Sequence, residues 1–192
     1  MKIGTKSVLF GAHCFFLHPF FVAWGWYRLY GFKRVEIGTA RVRQEMSWGT
    51  VVEDWVPVTT SLLSARLWFA FFLHDVGYFG ASDMDGVEGK AHPFLGARLM
   101  GALFGDVWQS FTLRHSRSTA RWLHVEPSPL CHADKLAYPL TPRWLYLAQV
   151  NLTGEIDEYM ANANIPNVSR AAQHYWHATV SDSLTDFAAT HR

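Results

Sequence analysis

An ionisable pair, His74-Asp75, closes the apolar run Leu67-Trp68-Phe69-Ala70-Phe71-Phe72-Leu73. Residues of that kind lead a chain into its core, where an imidazole beside a carboxylate is costly unless further groups compensate the charge. A metal ion removes that cost, and the chain supplies more donors for one. His18 precedes the pair, and His92, His115 and Asp134 follow it, each on a separate apolar segment. Four imidazoles and two carboxylates suit Mn, Fe, Co, Ni or Zn better than Ca or a thiolate-selecting metal. One such ion lowers the pKa of a bound water toward ~7, and a second, about 3.5 to 4 Å away, lets the pair clamp both oxygens of an in-line displacement. Lys90, Arg114, Arg117 and Lys135 lie next to these donors in sequence and carry the positive charge that phosphoryl oxygens need.

Taken in order, the donors read H…HD…H…H…D. Gly77 follows the HD pair, the third His opens His92-Pro93-Phe94-Leu95-Gly96-Ala97, and the last Asp sits in Ala133-Asp134-Lys135-Leu136-Ala137. Over residues 18 to 138 this resembles the two-metal branch of the HD superfamily of metal-dependent phosphohydrolases, in which HPxxGA is the usual setting of the third His. An HD dipeptide alone is a weak signal; the ordered set is a strong one.

The resemblance implies an all-α fold, an HD-domain helical bundle of about six to eight helices around a central metal site. It implies one or two divalent transition metals. His18, His74, Asp75 and Asp134 would hold the first, and Asp75 would bridge to a second completed by His92 and His115. Asp75, Arg117 and Lys135 would then carry catalysis, the last two by holding phosphate oxygens. The implied activity is cleavage of a phosphate ester of a nucleotide or other small phosphorylated metabolite through metal-activated hydroxide. A minor HD branch offers an alternative from another class. The same six ligands there hold a mixed-valent di-iron centre that oxidises an organophosphonate or polyol, and ligand spacing does not separate the two.

His13, five residues before His18, competes for the role of first ligand; the His-Pro start followed by Val22-Ala23 favours His18. His124, His132, His174, His177 and His191 are read as core or surface histidines. His132 and Asp134, two apart on a helix, point to different faces. Asp83, Asp85 and Glu88 read as a solvated acidic loop, and the acids of residues 153 to 158 as a helix start that offsets its dipole.

The elements that must position these donors are mostly helical. Helices are expected over residues 5 to 17, 19 to 30, from a Thr60-Ser61 cap to His74-Asp75, and over 92 to 103, 106 to 122, 128 to 139, 142 to 163 with a break near Gly154, and 167 to 190. Residues 77 to 90 are turn-rich and read as loop. Residues 31 to 59, with β-branched and charged residues and weak periodicity, read as an inserted loop or short hairpin within a single domain spanning 1 to 192. The net charge of +1, with 17% charged residues, gives no long-range field for nucleic acid or anionic membrane. Nucleic acid and membrane are therefore disfavoured as partners; the resemblance implies a small phosphorylated molecule, with a homo-oligomer left open. Cys14 and Cys131 lie in apolar runs without a spacing pattern, as reduced thiols of a cytoplasmic protein do. Lys2 and Lys6 ahead of apolar residues imitate a secretory signal, but His13, His18 and Pro19 interrupt it, so a buried helix is expected there.

Overall fold

The computed structural model describes residues 1 to 45, 51 to 166 and 168 to 189. The chain is mainly α rather than all-α, and the described residues form more and shorter helices than the six to eight expected. In order they are α1 (Ile3–Phe10), α2 (His18–Tyr30), α3 (Ala65–Leu73), α4 (Val87–Lys90), α5 (Pro93–Phe104), α6 (Asp106–Leu113), α7 (Arg117–Trp122), α8 (Pro129–Leu140), α9 (Arg143–Thr153), α10 (Glu155–Asn162) and α11 (Arg170–Ala189). A 3-10 turn (Val76–Tyr78) follows α3, and β1 (Val35–Glu45) pairs antiparallel with β2 (Val51–Thr60).

The differences from expectation have local causes. Residues 31 to 59 hold a long hairpin, not a loop or a short one: β1 and β2, both rich in β-branched residues, pair at ten positions. The register slips between Glu36 and Gly38, which turns Ile37 inward to 1% exposure, whereas the described residues nearer the tip stay mostly exposed. Since Thr60 still belongs to β2, α3 begins only at Ala65. The helix expected over 106 to 122 divides at His115, and that expected over 5 to 17 stops at Phe10 ahead of Gly11. Gly154, with φ of 83°, separates α9 from α10 as its left-handed conformation requires. Within the expected loop, Val87–Lys90 makes one short helix.

The main core joins α2, α3, α5, α6 and α8. Trp26, Phe71 and Phe111 are fully buried and meet edge to face or tilted, with centroids 6.0 and 6.3 Å from the indole. Burying each such side chain contributes about 1.5 to 3 kcal/mol. Cys14 and Cys131 are free and buried. Among the described residues no helix is long and apolar enough to cross a membrane.

Helices α2 and α8 approach closely because Gly25 faces the Ala133 backbone. A Cβ at Gly25 would stand 2.4 Å from the Ala133 carbonyl oxygen, closer than any Cβ can sit. Gly25→Ala should therefore force the two helices apart and cost about 1 to 3 kcal/mol. A thermal melt should show a fall of several degrees, and a melt superimposable on wild type would refute this packing.

Candidate metal centre and the cavities beside it

The six sequence-identified donors converge, although they come from five different stretches of chain. Five of them stand at helix ends: His18 opens α2, His74 closes α3, Asp75 precedes the 3-10 turn, His92 precedes α5 and His115 lies between α6 and α7. Asp134 alone is mid-helix, on α8. Pro19 and Pro93 occupy first turns, where a missing N–H costs nothing, and so fix where α2 and α5 start behind their histidines. Two motif glycines close the distance between segments. A Cβ at Gly77 would meet the His92 carbonyl at 2.0 Å, and one at Gly96 would meet the Leu73 carbonyl at 2.1 Å. The HPxxGA spacing thus brings His92 against the end of α3.

Two groups of donors result, each with ligand atoms within 4.8 Å of one another: His18, His74, Asp75 and Asp134, and Asp75, His92 and His115. Asp75 belongs to both because its two oxygens face opposite ways. Its Oδ2 lies 3.4 Å from His18 Nε2 and 3.1 Å from His74 Nε2, whereas Oδ1 lies 3.5 Å from His92 Nε2 and 3.3 Å from His115 Nε2. Asp134 Oδ1 completes the first group, 3.0 Å from His18 Nε2 and 3.6 Å from His74 Nε2.

Hydrogen bonding fixes the tautomers of three imidazoles. His74, His92 and His115 each donate from Nδ1 to the carbonyl three residues earlier, of Phe71, Gly89 and Thr112, at 2.9, 2.6 and 2.6 Å. A carbonyl only accepts, so Nδ1 carries a proton and Nε2 points into the cluster, where it ligates once it holds no second proton. His92 Nε2 and His115 Nε2 stand 3.0 Å apart, about the separation of two nitrogens bound at right angles to one ion at ~2.1 Å. His74 Nε2 and Asp75 Oδ2 are buried without a hydrogen-bond partner despite their proximity. Orphaned donor atoms converging at this spacing fit a metal ion.

The electrostatics are consistent with that fit. Burial holds the His92 imidazole well below its ordinary range, and holds His18 down as well, which favours the neutral form that a metal site needs. Burial also opposes the charged form of His74, but the Asp75 and Asp134 carboxylates outweigh it and push His74 up to about 10. Burial raises Asp75 and Asp134, yet His74 and Lys135 respectively, with further neighbours, hold both well below the usual carboxylate range.

Lys135 lines the site and pairs with Asp134 itself, Nζ to Oδ2 at 2.6 Å, rather than with an acid elsewhere. Arg117 lines the larger of two cavities beside the cluster, about 360 Å³, with its guanidinium carbon 5.0 Å from the Phe187 ring centroid. Arg114 turns away and donates to the Ile37 and Glu126 carbonyls, serving the hairpin instead. Asp83 and Glu88 accept from Gly89 and Ser82 backbone N–H groups and so shape the loop; Asp85 borders both cavities and accepts from Asn162. His132 is buried against Phe187, His177 packs on Tyr138 and Tyr146, and His124 and His174 lie outside the cluster. His191 lies outside the described residues.

Sequence reasoning missed several groups. Glu155, expected only to offset a helix dipole, is fully buried and accepts from Ser7 Oγ, Ala12 N, Thr153 Oγ1 and Tyr159 Oη. His13 is not among the donors but stands 3.8 Å from Glu155 and packs on Tyr78, which stacks 4.0 Å above His92. Tyr78 also lines the smaller cavity, about 170 Å³, with Tyr138, Tyr146 and Tyr159. Arg121, four residues after Arg117, joins it in the larger cavity; that spacing was a usable signal.

Comparison with known proteins finds no family model, no curated protein and no solved structure that matches the chain.

The shared carboxylate sets the first prediction here. Asp75→Ala should lose metal from both groups, whereas His92→Ala should retain one ion, as elemental analysis after gel filtration would measure. Two ions retained in Asp75→Ala would disprove the sharing. A second prediction concerns pH. With His74 raised above its ordinary 6.5 to about 10, its protonated form stabilises the metal-free fold fully below 6.5, and that contribution is lost as pH rises through about 10. A metal ion must displace the same proton. The gain in melting temperature on adding metal to chelated protein should therefore be larger near pH ~8.5 than near pH ~6. An equal gain at both would show that His74 is not a ligand.

Proposed function

We propose that the chain is a metal-dependent phosphohydrolase of the HD type, acting on a phosphate ester of a nucleotide or another small phosphorylated metabolite. One observation carries the reading: the shared-carboxylate donor cluster opens onto a cavity whose charged side chains are mainly cationic. His92 forms part of that cavity's lining, and Lys135, Arg117, Arg121 and Lys90 supply four positive charges against the single carboxylate of Asp85.

His18, His74, Asp75 and Asp134 would hold one divalent transition metal, and Asp75, His92 and His115 a second. Such ions supply Lewis acidity and bring the pKa of a bound water toward ~7. The remaining work belongs to the protein. The backbone carbonyls of Phe71, Gly89 and Thr112 hold three imidazoles in their ligating tautomer. Lys135 stays protonated, because Asp134 outweighs the opposing effect of burial. Its Nζ–H groups not engaged by Asp134 can bind a phosphoryl oxygen at the edge of the cluster. Arg117, braced against Phe187, offers a planar fork that matches two phosphate oxygens. The buried Tyr78 phenol, raised well above its ordinary range by burial, remains neutral over His92 and closes one side of the cavity to water.

The test is a panel of nucleoside phosphates, cyclic nucleotides and generic phosphate esters with metal-loaded protein. At least one should be turned over with a requirement for divalent metal and none for oxygen. Asp75→Ala should lower kcat/KM by about a thousandfold or more. Arg117→Ala should lower it about tenfold, as expected of one exposed charge-assisted contact. A wholly inert panel, with iron-loaded protein consuming oxygen alongside a phosphonate or polyol, would replace this reading by the oxygenase one.

A further inference from the structure

The larger cavity holds more positive charge than one reacting phosphate would engage. Lys135 is neutralised by Asp134. The other three cations, Lys90, Arg117 and Arg121, are exposed and have no ion pair or hydrogen bond to a carboxylate among the described residues. They reach one cavity from two elements. Lys90 ends α4, while Arg117 and Arg121 are four apart on α7 and so share a face. Ser116 and Ser118, whose hydroxyl oxygens are 2.8 Å apart, add neutral donors to the same wall. Three cations around one concavity, against the single carboxylate of Asp85, repel one another until an anion enters. At about 360 Å³ the space lies within the usual range for a small-molecule site, about 300 to 1,000 Å³.

We infer that Lys90, Arg117 and Arg121 form a second anion subsite beside the metal cluster, which selects substrates carrying another phosphoryl group besides the one attacked. The substrate class is then a bisphosphate or a diphosphate ester. The metal-side edge, at His92 and Lys135, receives the reacting phosphoryl group, Arg117 stands between the two groups, and Lys90 and Arg121 receive the other. This deepens the hydrolase reading and rests on it for the reacting group, but anion binding at the subsite does not depend on turnover.

The experiment has two arms on metal-loaded full-length protein. In the first, calorimetry compares pyrophosphate with inorganic phosphate for wild type, Arg121→Gln, Lys90→Gln and the distant control Arg28→Gln. Wild type should bind pyrophosphate at least about tenfold more tightly than phosphate, and each of the two cavity variants should reduce that preference several-fold or more. The control should keep it, and added salt should erode it. In the second arm, kcat/KM is compared for a phosphate ester and the same ester bearing an additional phosphate. The ratio should favour the doubly phosphorylated ester and fall in Arg121→Gln, through KM rather than kcat. If no ester is turned over while pyrophosphate binding still depends on Arg121, the hydrolase reading fails and the subsite stands. If esters are hydrolysed without preference and Arg121→Gln binds pyrophosphate as wild type does, the subsite is refuted and the hydrolase reading stands.

Discussion

The structure turns on the carboxylate of Asp75, which lies 7% exposed among four imidazole nitrogens at 3.1 to 3.5 Å. A charge so placed is tolerable only if positive or polarising groups reach it from several sides. The segments that supply them are the starts of α2 and α5, the end of α3 and the turn after α6, and the core packs to bring these ends together. Its backbone conformation, φ −100° and ψ 2°, lies in the sparsely allowed bridge region, where the chain leaves α3 for the 3-10 turn. There one oxygen meets each donor group.

Placing ligands at helix ends has an electrostatic rationale. A helix C-terminus leaves carbonyls without intrahelical partners, and an imidazole one turn later can take one of them with its Nδ1–H. His74 and His115 do this after α3 and α6, and His92 does it after the short α4. The bond aims the ring in each case, although the Gly89 and Thr112 carbonyls also accept the backbone N–H of His92 and His115. That use of helix ends accounts for helices shorter than their apolar patterning suggests: continuing α6 through residues 114 to 116 would remove the turn that carries His115.

A second buried charge supports the first from behind. Glu155 should be raised by burial, but His13, Thr153 and Tyr159 hold it below its ordinary value, and it ties α1, α10 and the segment after α1 into one unit. His13 stands between this network and Tyr78, and Tyr78 stacks on His92. Glu158 joins in from α10 by accepting the Met84 and Asp85 backbone N–H groups, which anchors the loop bordering both cavities. Contacts thus run continuously from the amino-terminal helix to the donor cluster.

The six donors and their order were legible in the sequence because each stands out locally: an ionisable residue in an apolar segment, a His-Pro start, a glycine at fixed spacing. The break at Gly154 and the turn-rich stretch after Gly77 were legible for the same reason. Long-range placement decided the rest. Nothing local distinguishes Arg114, which braces the hairpin through the Ile37 carbonyl, from Arg117, which faces the cavity, because their directions follow from where α6 ends and α7 begins. Nor could local pattern mark Glu155 as buried, since its partners Ser7 and Ala12 lie 148 and 143 residues away. The division of Asp75 between two donor groups was expected through the family resemblance alone, and its geometry is a tertiary property. A sequence names a carboxylate, but only the packing of α2, α3, α5 and α6 determines which way each of its oxygens points.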